Sequence, residues 1–134
     1  MSNRSEGMKF EIEFCKKLAD EGFWVHRLAQ TAQGQPFDVI AVKSGIAYAF
    51  DCKDCKNDVF SFDRVEPNQE TAMQKWKACH NAEPYFALKL SDNTIYLLPY
   101  WKYTTNIKGE NYSLNKTQIL RNTVSLHKWL GSWR

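Results

Sequence analysis

Residues 36–56 read PFDVIAVKSGIAYAFDCKDCK. Alternating apolar residues on either side of Ser44-Gly45 predict two short strands joined by a tight turn. Asp38 opens the first strand, and Asp51 and Lys53 close the second. Side chains two apart on a strand share a face, so Asp51 and Lys53 point the same way, about 6–7 Å apart. Tyr48, Phe50 and Cys52 point to the other face, toward a core. Pairing across the turn can bring Asp38 near Asp51, in a register the sequence does not state. Two carboxylates and an ammonium at one sheet edge suit a divalent cation, which takes hard oxygen ligands. Acids and lysines at strand ends also form ordinary solvated rims, so the hairpin alone leaves both readings open.

The rest of the chain bounds the answer. Its 134 residues suit one domain, residues 1–134, large enough for a real core. We expect the body over residues 7–100 and a C-terminal extension over 101–134. An apolar fraction of 43% argues against disorder. No apolar run approaches the roughly 20 residues of a membrane span, and MSNRSEGMKF has no apolar signal core. The expected location is therefore cytoplasmic, in a bacterial or phage-infected host cell, with no membrane partner. The excess of 18 Lys and Arg over 15 Asp and Glu allows a nucleic-acid partner if the charge is gathered on one face. Cys52 and Cys55 form a C-x-x-C, but no second Cys or His pair follows at zinc spacing, so reduced thiols are expected.

Before the hairpin, Gly7–Glu21 has helical periodicity. Phe10, Phe14 and Leu18, with Met8, Ile12, Cys15 and Ala19, are expected on one broad arc. Glu11 falls inside that arc, where a carboxylate is costly unless something pairs with it. It either meets a structural Lys or Arg or contributes to a site at the sheet edge. Gly22 ends the helix. Phe23–Ala29 reads as a strand in which His26 is an ordinary packed or half-exposed residue, and Gln30–Gln35 is a polar loop leading into Asp38. After the hairpin comes an aromatic connection with Phe60, Phe62 and Arg64. Pro67 suits the first turn of a helix running to about His80. Gln69, Ala72, Met73, Trp76, Cys79 and His80 share one face of it, so Gln69 leans inward. Residues 84–90 and 94–99 predict a second hairpin. Short helices are expected at Leu114–Arg121 and Ser125–Trp133, the latter docking through Val124, Leu126, Trp129, Leu130 and Trp133.

The order is a helix with an inward Glu, a strand with Asp, a strand with Asp-x-Lys, and a helix with an inward Gln. It resembles the PD-(D/E)xK nuclease superfamily. Pro36-Phe37-Asp38 and Asp51-Cys52-Lys53 carry the signature, with one residue more than a bare Pro-Asp and with Asp51 in place of the usual Glu. Within that group the chain is similar to Holliday-junction resolvases. Gly7-Met8-Lys9-Phe10-Glu11 resembles the opening of RecU-type enzymes of Gram-positive bacteria and their phages. Phe60-Ser61-Phe62, Arg64-Val65 and Asn68-Gln69 resemble the RecU stretch before its helix Gln. The short Gln30–Gln35 loop lacks the RecU stalk and is compact, as in the archaeal resolvases. The likeness covers residues 4 to 100.

The resemblance implies an α/β fold of the restriction-endonuclease type, with a mixed sheet of about five strands flanked by helices. It implies a Mg²⁺-dependent endonuclease, with Mn²⁺ able to substitute, acting on branched or duplex DNA as a homodimer. Catalytic residues would be Glu11, Asp38, Asp51, Lys53 and Gln69. The metal would take Asp38, Asp51, the Cys52 backbone carbonyl and Glu11, directly or through water. Thr31, Gln33, Gln35, Lys56 and Arg64 are candidates for phosphate contacts. The alternatives are another nuclease of the superfamily (flap, nicking or repair) and a non-catalytic DNA-binding protein on the same fold.

Overall fold

The computed structural model describes residues 3–133, with side chains from residue 6 onward. Helix α1 (Asn3–Asp20) leads into β1 (Trp24–Arg27), β2 (Val39–Lys43) and β3 (Ile46–Asp54). A short strand β4 (Phe60–Ser61) and a single 3₁₀ turn (Phe62–Arg64) precede α2 (Pro67–Ala78). Then follow β5 (Tyr85–Lys89), β6 (Ile95–Pro99), α3 (Tyr100–Lys108), β7 (Ser113–Leu114), α4 (Lys116–Asn122), β8 (Val124–Ser125) and α5 (Leu126–Gly131).

Six strands form the main sheet, in the order β1-β2-β3-β5-β6-β8. Among the described residues only the β3–β5 pair is parallel. A parallel neighbour needs a long crossover, and residues 55–84, including α2, supply it. The fold is thus the expected mixed α/β sheet, one strand larger than about five because β8 adds an edge beside β6. A separate two-stranded ribbon joins β4 to β7.

The Ser44-Gly45 turn is a two-residue hairpin in which both residues have positive φ, 54° and 77°, matching the right-handed twist of the flanking strands. It sets the register Val39↔Phe50 through Lys43↔Ile46. Alternation along β3 then sends Phe50 to a core shared with Phe10, Phe14, Leu18 and Leu97 under α1. Ala49 goes to a second core, with Met73, Phe86, Leu98 and Tyr103, on the α2 side. Both faces of the central strands are covered, so Asp51 is 0% exposed and does not sit on a solvated rim.

Several expectations shift. The helix predicted from Gly7 begins at Asn3. Met8 and Ile12 are exposed, because each lies two residues from a buried Phe, roughly 200° round a helix of 3.6 residues per turn. Cys79 and His80 are also exposed, since α2 ends at Ala78 and His80 turns the chain with φ 63°. Helix α3 was not anticipated. Its buried face is only Tyr100 and Tyr103, with Trp101 exposed between them. No membrane-spanning helix occurs among the described residues.

Candidate active site

The site forms where β2 begins, β3 ends and α2 starts. Asp38 lies one residue before the paired stretch of β2, and its amide donates to the Phe50 carbonyl (3.0 Å). Its Oδ2 accepts from the Cys52 amide at 2.7 Å, and its Oδ1 accepts from Gln35 Nε2 at 2.9 Å. Register therefore settles what the sequence left open: Asp38 and Asp51 are neighbours across the hairpin, close enough for the charge of one to act on the other.

On the α2 face, Lys53 Nζ donates to Gln69 Oε1 (3.2 Å) and stands 3.4 Å from Asp51 Oδ2. Gln69 Nε2 donates to Asp51 Oδ1 at 3.3 Å. The same Gln69 Oε1 accepts the Glu66 amide (3.0 Å), closing a capping box at the first turn of α2. Gln69 is thus at once an ordinary helix-capping residue and the link between Lys53 and Asp51.

Glu11 reaches the same place from α1, and Arg27 Nη1 donates to it at 3.4 Å. Arg27 was missed in the sequence reading. The available signal was alternation in β1, which puts Arg27 on the face of Val25, toward α1 and the inward Glu11. Glu11, Asp38, Lys53 and Gln69, with the Gln30–Gln35 loop, line a polar cleft of about 440 Å³. A second cleft of about 590 Å³ lies against it, with Cys52 and Lys53 on both walls.

The electrostatics show an excess of buried acid. Burial pushes Asp51 well above the usual carboxylate range; the Lys53 ammonium pulls it back, and Asp38 pushes it up again. Burial raises Glu11 as well, with the Asp38 charge adding to it and Arg27 opposing. Asp51 Oδ2 accepts no hydrogen bond, since Lys53 meets it as a charge contact without hydrogen-bond geometry. A buried polar atom without a partner is costly.

These donors fit a hard cation. Asp51 and Glu11, both pushed up by burial and by the Asp38 charge, the former with an orphaned oxygen, are relieved by positive charge placed beside them. They do not form a ready-made cage: among the described residues no three His, Cys, Asp or Glu groups converge as a metal site. Gln35, Arg27 and Gln69 donate hydrogen bonds to Asp38, Glu11 and Asp51 respectively.

The phosphate candidates divide. Thr31 and Gln33 are exposed on the loop at the cleft. Gln35 is half-buried, and its amide is turned inward to Asp38. Lys56 pairs with Glu6, and Arg64 donates to the Asp54 carbonyl, both at the second cleft.

The model of the family described as archaeal Holliday junction resolvase (Hjc) matches residues 2–133. Among solved structures, the Hjc resolvase of the archaeal hyperthermophile Archaeoglobus fulgidus superposes with a TM-score of 0.69 at 19% identity. That alignment covers 94% of this chain and 99% of the other, a likeness of fold. No curated protein sequence matches this chain. The matches support a Holliday junction resolvase and not the narrower RecU type suggested by Gly7–Glu11. The chain belongs to the archaeal Holliday junction resolvase family, whose members are metal-dependent, structure-specific endonucleases.

Proposed function

We propose that this chain resolves four-way DNA junctions by paired phosphodiester hydrolysis with Mg²⁺, for which Mn²⁺ substitutes. Asp38, Asp51 and the Cys52 carbonyl would hold the cation, with Glu11 joining directly or through water. Once held there, the cation supplies Lewis acidity at the phosphate and a nucleophile at neutral pH. The rest falls to the protein. Lys53, oriented by Gln69, presents its ammonium to charge developing on the phosphate. Gln69 keeps that ammonium on the cleft side of Asp51. Arg27 holds Glu11 in place through its hydrogen bond to the carboxylate.

The observation that carries this reading is the meeting of Asp51, Lys53 and Gln69 at 3.2–3.4 Å from one another, with Asp38 beside Asp51 across the hairpin. The two clefts sharing Lys53 support a DNA strand laid across it, with Thr31 and Gln33 on one side and Lys56 and Arg64 on the other. Two matched cuts on a near two-fold substrate favour a symmetric homodimer. Trp24, 63% exposed and stacked on His26 at the β1 edge of the sheet, offers apolar surface for one. We also assign residues 1–134 to one nuclease domain, because Tyr103, Leu114, Ile119, Leu126 and Leu130 complete its two cores.

The test is cleavage of a four-way junction, a flap, a linear duplex and a single strand with Mg²⁺ or Mn²⁺. The junction should be cut symmetrically and in preference to the others, and Lys53→Ala should lose about 10²–10³-fold in rate. A junction cut no better than duplex would point to another nuclease of the superfamily. Full activity in Asp51→Ala would refute the site itself.

A further inference from the structure

Asn68 belongs to neither the acid cluster nor the core, yet it touches the loop over the site. It sits in the first turn of α2, one residue before Gln69. Its Nδ2 donates to the Gln35 carbonyl at 3.2 Å. The loop is built around that contact. Gly34 has φ +80°, and a Cβ there would lie 2.8 Å from Asn68 Nδ2, so no larger residue fits without displacing the amide. Thr31 braces the same turn: its carbonyl accepts the Gly34 amide at 3.0 Å and its Oγ1 donates to the Gly34 carbonyl at 3.0 Å. The product of this arrangement is the position of Gln35, whose Nε2 donates to Asp38 Oδ1 at 2.9 Å while the Cys52 amide holds Oδ2.

We propose that Asn68 is a positioning residue that latches the Gln30–Gln35 loop to α2, so that Gln35 orients the Asp38 carboxylate for the cation. The latch makes the first turn of α2 govern both acids of the hairpin, Asp51 through Gln69 and Asp38 through Asn68 and Gln35. It rests on the reading of Asp38 as a metal ligand. Groups that orient a ligating carboxylate typically contribute 10–100-fold in metal affinity.

The test is Mn²⁺ titration of the full chain without DNA, reading free Mn²⁺ by electron paramagnetic resonance. Wild type, Asp38→Asn, Gln35→Ala, Asn68→Ala and Asn68→Asp are compared, with thermal melts of each. Asn68→Asp keeps the shape and loses the donor. Both Asn68 variants and Gln35→Ala should bind Mn²⁺ about 10–100-fold more weakly with melting midpoints near wild type. Their junction cleavage should return to within a few-fold of wild type at saturating Mn²⁺. Gly34→Ala reaches the same latch from the other side and should weaken binding likewise, which keeps the test decisive if an Asn68 variant misfolds. Unchanged or tighter binding in the Asn68 and Gln35 variants overturns the latch while leaving Asp38 as a ligand. If wild type binds no Mn²⁺ that Asp38→Asn removes, the ligand reading fails and the latch falls with it.

Discussion

Asp51 occupies the position where a carboxylate costs most, at 0% exposure with one oxygen lacking a hydrogen bond. Its folded-state pKa lies well above the ordinary 3.8, so the native state holds its proton more tightly than the unfolded chain does. That contribution to stability is complete below pH 3.8 and is lost as pH rises through the higher folded value. The metal-free protein should therefore melt at a lower temperature at neutral pH than Asp51→Asn, whose uncharged amide removes the penalty. Lys53 retains Gln69 and opens on the cleft, so the substitution does not strand its charge. We expect a gain of about 1–3 kcal/mol in metal-free urea melts at pH 7, together with loss of cleavage. A loss of stability would mean that the Lys53–Asp51 attraction outweighs burial.

At the scale of elements, the β2–β3 hairpin does most to bring the acids together, and its turn is the sensitive point. Slipping the register by one residue would exchange the faces of Asp51 and Phe50, burying a charge under α1 and opening the aromatic core. Gly45, at φ 77°, has open space where a Cβ would go. Gly45→Ala thus tests backbone strain alone. Equilibrium unfolding should show a loss of roughly 1–2 kcal/mol, with cleavage by the folded protein retained. Loss of cleavage without loss of stability would show that the turn acts on the site by another route. Helix α2 is the complementary element. Its start was legible as Pro67 followed by an inward Gln69, whereas its capping box with Glu66 and its hold on the loop were not, the latter because Asn68 and Gln35 lie 33 residues apart.

Over the whole molecule the C-terminal stretch closes the structure. β8 pairs with β6 at the sheet edge, and α5 lays Trp129 against Phe23, Tyr48, Phe50 and Tyr85, with ring centroids 5.2–6.1 Å apart. This cluster lies under α1, on the face of the sheet opposite Asp51, Lys53 and α2. Trp129→Ala should cost about 3 kcal/mol in urea denaturation. The metal dependence of the folded fraction should stay unchanged, since none of the rings that Trp129 packs on belongs to the site. A changed metal dependence would show that the α1 core sets the geometry of the acids.

What the sequence determined by itself is the set of local patterns. Apolar alternation around Ser44-Gly45 specifies the hairpin, Phe10, Phe14 and Leu18 specify α1, and an inward Glu11 and Gln69 mark two helices that need a polar target. Each follows from residues a few positions apart, where backbone periodicity dictates direction. Tertiary structure decided what those side chains meet. Arg27 on Glu11, Gln35 on Asp38, the complete burial of Asp51 and the sixth strand from β8 all depend on contacts between distant segments. Such contacts are set by how the layers pack, and no local period in the chain encodes them.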